Sequence, residues 1–260
     1  MTLEEALSLK DGEVVSLVGA GGKTTLMFAL GDEISSRGKG VVLTTTTKIR
    51  EPAASSSFSL FLSTQLGELK KWVGRNLERS PCLVIARGKH EDGKLQGVSP
   101  EWVAELQTLR GVSFMIVEAD GASGRSLKAP REGEPVIPQC TTLLIPVVGI
   151  DSLSCPLEEQ YVFRSAIAAR LLGVAMGSKI TEGMIARLIS EISKDRPGGA
   201  RVVPFINKVD LPGGLEKARG LAQVLLNIDQ PTIERVILGQ AQNVPRVKEI
   251  FNNPDHGRHG

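Results

Sequence analysis

Three short clusters in this chain have the residue types and spacing to do chemistry. Residues 13 to 25, Glu-Val-Val-Ser-Leu-Val-Gly-Ala-Gly-Gly-Lys-Thr-Thr, read as a buried strand, a glycine loop and the start of a helix. Gly19, Ala20, Gly21 and Gly22 let backbone N–H groups approach a phosphate chain, and the following helix N-terminus adds positive potential. Lys23 offers a cation to the phosphates, Thr24 a hydroxyl to Mg²⁺, and Thr25 completes the nucleotide-binding candidates. The pattern is the shorter Gly-x-x-Gly-Lys-Thr form beginning at Gly19, because Leu17 stands where the longer loop has its first glycine. The bland alternative is a glycine turn joining a strand to a helix.

The second cluster closes the apolar run Phe114 to Val117 with Glu118-Ala119-Asp120-Gly121. On an extended strand Glu118 and Asp120 face the same side. Mg²⁺ takes oxygen ligands, usually one or two carboxylates besides phosphates and water, so Thr24, Glu118 and Asp120 are the metal candidates. Lys23 and Asp120 are the candidate catalytic groups. The third cluster, Asn207-Lys208-Val209-Asp210, is similar to the guanine-recognition motif of GTPases. A carboxylate at Asp210 accepts from guanine N1–H and N2–H₂, whereas adenine leaves it unpaired. Asn207, Lys208 and Asp210 are therefore expected at the base, with GTP as ligand, ATP as the alternative, and Gly239-Gln240-Ala241 adding backbone contacts. Thr46, Thr47 and Lys48 are candidates to sense the terminal phosphate or the metal, against simple β propensity. Arg125, Lys128 and Arg131 suit an anionic substrate or partner, against a solvated basic loop.

Composition bounds the partners. The 31 Lys and Arg against 29 Asp and Glu are scattered, which points away from nucleic acid and from an acidic membrane surface. Three cysteines without C-x-x-C spacing, Cys82, Cys140 and Cys155, argue against a disulfide framework and fit buried thiols in a reducing compartment. His90 sits in a His-Glu-Asp-Gly turn, and His256 and His259 in a Gly/Asn/Pro-containing tail, so no histidine-based metal or catalytic cluster is expected. The first residues lack a basic region followed by an apolar core, and no apolar run approaches membrane-spanning length. A cytoplasmic location is expected.

The elements that must hold these clusters alternate. Lys23 to Ser36 carries a helical stripe at Leu26, Ala29, Leu30 and Ile34, with Arg37-Gly38 as its stop. Further helices are expected near Gln65 to Glu78, from Pro100 with Ser99 as N-cap, and at Glu158 to Leu172, Gly183 to Ile192 and Leu215 to Leu226. A β-branched strand run is expected from Val41 to Thr47, followed by Lys48, and further buried strands at Cys82 to Ala86, Phe114 to Glu118, Leu143 to Val148, Val202 to Ile206 and Val236 to Leu238; Glu51 to Ser57 reads as a mobile loop. Continuous apolar strands between amphipathic helices predict a three-layer α/β fold of the P-loop NTPase type, with a mainly parallel sheet. One domain is expected over residues 1–251, with 252–260 as a flexible tail. Ligands of such sheets sit at the carboxyl ends of the strands, where all three clusters fall.

Val18 to Thr25, Thr44 to Lys48, the segment Glu118 to Pro130, Glu134-Pro-Val-Ile-Pro138, Leu95 to Trp102 and Asn207 to Asp210 together resemble the YqeC family over nearly the whole chain. The resemblance implies a nucleotide-binding accessory protein for maturation of selenium-dependent molybdenum hydroxylases, with such an enzyme or its cofactor-maturation proteins as partner. Val162-Phe163-Arg164 stands where Val-His-Arg is common in the family, so no histidine role carries over, while Arg164 stays a candidate contact. The leading expectation is Mg²⁺-dependent GTP binding with slow hydrolysis. The alternatives are an ATP-dependent kinase or ligase acting on a small acid, and a nucleotide-binding scaffold without turnover.

Overall fold

The computed structural model describes residues 1–51, 58–228 and 232–254. Beyond Glu51, the loop expected at 51–57 lies outside the described residues, as do His256, His259 and residues 255–260 of the expected tail. In chain order the first elements are α1 (Leu3–Leu7), β1 (Glu13–Gly19), α2 (Lys23–Ser36), β2 (Gly40–Thr45), β3 (Lys48–Arg50), β4 (Ser59–Leu62), α3 (Leu66–Asn76) and β5 (Cys82–Ala86). There follow β6 (Gly88–Lys89), β7 (Lys94–Gln96), α4 (Pro100–Gln107), β8 (Val112–Glu118), β9 (Leu127–Lys128), β10 (Leu143–Gly149), β11 (Val162–Phe163) and α5 (Ser165–Leu172). The chain continues through α6 (Glu182–Ile192), β12 (Arg201–Val202), β13 (Phe205–Asn207), α7 (Gly214–Leu226), β14 (Arg235–Gly239) and β15 (Val247–Asn252).

One large sheet runs in the order β15-β14-β13-β10-β1-β8-β2-β5-β4, with β12 also on β10. All its pairings are parallel except β14 with β15. The central strands are buried on both faces because helices cover both, so their sequences are continuous apolar runs rather than alternating ones. The alternation reappears in what each residue touches. Val15 and Leu17 of β1 pack with Leu26, Met27 and Leu30 of α2, while Val14 joins the cluster of Leu69, Val73, Val103 and Leu106 from α3 and α4. Val18, facing the same way as Val14, packs in the cluster built by α5, α6 and α7. This is the three-layer, mostly parallel α/β architecture expected from the sequence.

Two expected elements are shorter than their apolar patterns. The helix expected from Glu158 starts only at Ser165, because Arg164 has φ 64 and Val162–Phe163 leaves to pair with Leu127–Lys128. The strand expected at Val202 to Ile206 is broken between β12 and β13 around Pro204, which has no N–H to give a ladder. A separate antiparallel sheet, β3-β7-β6, was not foreseen, and neither was β15, which carries the large sheet to Asn252 and so into the expected tail. Cys82 is buried, whereas Cys140 and Cys155 are only half-buried. Among the described residues no helix is long and apolar enough to cross a membrane.

Candidate functional site

β1, at the centre of the large sheet, delivers the glycine loop to the carboxyl ends of its neighbours. There the Gly19 N–H donates to Asp120 Oδ2 (3.0 Å), Ala20 N–H to Val147 O (2.9 Å) and Gly21 N–H to Arg125 O (2.8 Å). The loop passes so close to β10 that a Cβ on Gly21, at φ +84, would lie 2.2 Å from the Gly149 nitrogen. Only glycine fits that passage. The next four N–H groups, from Gly22 to Thr25, have no partner among the described residues. Gly22 offers no side-chain cap and the first turn of α2 carries no acid, so the positive end of this helix is uncompensated by its own residues.

Lys23 is 3% exposed and folds back over the loop. Its Nζ donates to Gly19 O (2.6 Å) and lies 3.1 Å from Asp120 Oδ1 and 3.6 Å from Glu118 Oε1. Burial disfavours the ammonium, but the two carboxylates outweigh it and hold the Lys23 pKa above its usual value. Burial acts on Glu118 as well and pushes its pKa up, against the opposing pull of Lys23. Thr24 Oγ1 donates to Glu118 Oε2 at 2.7 Å. One hydroxyl and one carboxylate oxygen, side by side on a cavity wall, are a donor set that suits a hard divalent cation. Among the described residues no group of three or more His, Cys, Asp or Glu side chains gathers in a metal-binding arrangement.

Asp120, expected to share a cation with Glu118, is instead enclosed. Its side chain is 0% exposed, with Oδ2 accepting from Gly19 N–H and lying 2.9 Å from Lys128 Nζ, while Oδ1 faces Lys23. Lys128, expected as a substrate contact, is equally enclosed at 0% side-chain exposure. It donates to Gly121 O and lies 3.2 Å from Glu134 Oε2. Glu134 in turn accepts from Nη1 and Nη2 of Arg164, at 2.7 and 3.0 Å. Burial raises the Glu134 pKa, yet Arg164 and Lys128 overrule it and bring it down to about 2. The result is a chain of alternating charge, Lys23, Asp120, Lys128, Glu134, Arg164, running inward from the glycine loop and out again. Glu134 received no role from sequence reasoning, although its segment contributed to the resemblance.

Asn207, at the end of β13, ties two loops together. Its Nδ2 donates to Gly21 O (2.7 Å) and its Oδ1 accepts from Ala241 N–H (2.8 Å). A cavity of about 370 Å³ opens there, lined by Gly21, Gly22, Thr25, Asn207, Lys208 and the exposed Asp210 among others. Lys208, at φ 66, spans from this cavity to Ser126 Oγ (2.6 Å) and Asp151 Oδ2 (2.8 Å). The loop after β14 was expected to offer backbone groups to a base; Gln240 N–H is committed to Arg246 O and Ala241 N–H to Asn207.

On the opposite side of the α2 start lies a cavity of about 1,090 Å³, lined by Thr24 and Glu118 together with Thr46, Thr47, Lys48 and Arg164. Thr46 Oγ1 donates to Val136 O and Thr47 N–H to Thr45 Oγ1, which anchors the end of β2 on this wall. Arg125 lies apart from both cavities, its Nε donating to Glu159 O and its Nη1 to Ser123 O. Arg50, Arg87 and Lys94 also line the large cavity. No motif marked them, since they come from the short strands of the second sheet and the end of β5.

Comparison with known proteins places these features in a family. The model of the family described as YqeC protein matches residues 15–166, more than half of the chain, and so takes in the glycine loop, Glu118 to Asp120 and the Glu134–Arg164 pair. Over 243 residues, 92% of each chain, this sequence is 30% identical to the Escherichia coli (strain K12) protein described as "Uncharacterized protein YqeC". On both counts the chain belongs to the YqeC family.

Proposed function

We propose that the chain binds a magnesium-chelated purine nucleotide, GTP in preference to ATP, along the glycine loop and hydrolyses it slowly. The observation that carries this reading is Asn207, whose one amide joins the glycine loop at Gly21 to the loop at Ala241 and leaves Asp210 at the mouth of the cavity between them. The free N–H groups of Gly22 to Thr25 would take the phosphates. Thr24 and Glu118 would hold Mg²⁺, which supplies charge neutralisation at the transferring phosphoryl group. Asp120 holds Lys23 and the Gly19 N–H in place from behind, as a positioning residue. Because Lys23 must leave two buried carboxylates to reach a phosphate, intrinsic turnover is expected on the order of 10⁻⁴ to 10⁻² per second, the range of GTPases without a partner's help. Family membership supports placing this cycle in the maturation of selenium-dependent molybdenum hydroxylases, with the nucleotide state governing a partner.

The test is a titration of the purified chain with fluorescent GTP and ATP in Mg²⁺, in parallel with Asp210→Asn. The expected result is a GTP preference that moves to xanthosine triphosphate in the variant, because an amide donor at 210 meets the xanthine O2 rather than the guanine amine. An ATP preference that Asp210→Asn leaves unchanged overturns guanine recognition.

A further inference from the structure

We propose that the 1,090 Å³ cavity beside Thr24 and Glu118 binds a second ligand, a small molecule bearing phosphate or carboxylate groups, held by cations of the β3-β7-β6 sheet. This rests on the proposed nucleotide site only for what stands at the cavity floor. The two cavities share no lining residue, and the consecutive Thr24 and Thr25 face opposite ones. A ligand in the larger cavity therefore meets the terminal-phosphate end of a nucleotide and not its base.

The charge of the walls carries the proposal. Six cations face three carboxylates, Glu118, Glu132 and Glu134, and Glu134 is already held by Arg164, Arg131 and Lys128. Among the described residues the side chains of Lys48 and Arg50 have no ion-pair or hydrogen-bond partner, and the buried Arg87 Nε has no hydrogen-bond partner. The Arg87 guanidinium lies over the Trp102 ring, 5.8 Å from its centre, which holds it in position. Planar guanidinium groups match the paired oxygens of phosphate and carboxylate.

The small sheet is arranged to present these charges. Lys48 and Arg50 alternate with the buried Ile49 and so share one face, and the register sets Arg50 opposite Lys94 and Lys48 opposite Gln96. All four line the cavity, as does the edge of the buried Ile49, while its partner Leu95 is buried away from it. Like charges directly across a strand pair destabilise it, and the ion pair of Lys94 with Asp92 relieves only one of the two. An anion between Arg50 and Lys94 removes that repulsion. The volume is at the upper end of ordinary ligand pockets and accepts a molecule as large as a nucleotide.

The experiment is a ¹H–¹⁵N titration of the chain, saturated with Mg²⁺ and the non-hydrolysable analogue guanylyl imidodiphosphate, with inorganic phosphate and separately with succinate. Saturable shifts on β3, β6 and β7 are expected, with Kd raised at least tenfold in Arg50→Gln/Lys94→Gln and the analogue's affinity unchanged. The anion that binds more tightly identifies the group recognised. Absence of saturable shifts on those strands with both anions, or equal Kd in the double variant, overturns the proposal. If the analogue itself does not bind, the nucleotide reading fails alone: phosphate shifts on β3, β6 and β7 in the unloaded chain, lost in the double variant and separate from any at the glycine loop, still uphold the anion site.

Discussion

Thr24 and Glu118 line the large cavity whereas Lys23 and Asp120 do not, although all four come from two short stretches of sequence. Thr24 is half-buried and touches the rest of the protein through one hydroxyl bond, so it is the group that can be changed without opening the core. Thr24→Ala is expected to weaken nucleotide binding in Mg²⁺ at least about tenfold, the smaller loss typical when a group supporting a metal is removed. The same titration in EDTA should show little difference from the unaltered chain; an equal loss in EDTA would mean that Thr24 contacts phosphate instead of metal. Cysteine chemistry stands outside this division. Burial lifts all three thiols, Cys82 to about 12 with help from Asp32, so none is poised as a thiolate.

At the scale of elements, Asn207 shows how a short strand can carry long-range order. β13 has three residues, yet it sets one amide between loops that lie 186 and 34 positions away along the chain. Asn207→Ala leaves the Ala241 N–H and the Gly21 carbonyl unpaired in a buried place and is expected to cost about 2 kcal/mol, read as a lower urea midpoint at unchanged slope. Sequence reasoning singled out Asn207, Lys23, Glu118 and Asp120, which the structure gathers around the glycine loop, because each adjoins an apolar strand long enough to recognise. It missed β3, β6 and β7 because strands with the exposure pattern of Lys48–Arg50, one buried residue between two exposed ones, carry no usable period. With them it missed Arg50, Arg87 and Lys94. It overextended the α5 helix because an arginine in the left-handed region, where glycine is the usual signal, leaves no mark at the level of residue type. Lys128 and Asp120 were placed in the right neighbourhood but assigned to ligands, since a basic residue that braces a buried acid and one that faces solvent look alike in sequence.

Across the whole molecule, the buried charges make stability depend on pH with a definite sign. Glu134, lowered from its ordinary 4.5 to about 2, contributes stability that is fully present above 4.5 and is lost as pH falls through 2. Glu118, shifted upward, acts in the opposite sense: its charge costs stability above its folded pKa, and acidification relieves that cost. Glu134→Gln should therefore lower the thermal midpoint at pH 7, and the gap from the unaltered chain should close as pH falls from 4.5 toward 2. A gap that stays constant over that interval would mean that Arg164 and Lys128 do not depend on the carboxylate charge. The alternating chain from Lys23 to Arg164 has a consequence for traffic between the two cavities. Each interior ion is shared between neighbours of opposite sign, Glu134 also with Arg131, so a pull on one terminal cation is felt as a tightened grip on the other. An anion that draws Lys23 off Asp120 leaves that carboxylate to Lys128, weakens the hold of Lys128 on Glu134, and changes how firmly Glu134 keeps Arg164. Thermodynamics requires the debt to run both ways: if filling one cavity eases or hinders the other by some factor, filling the second returns that factor to the first.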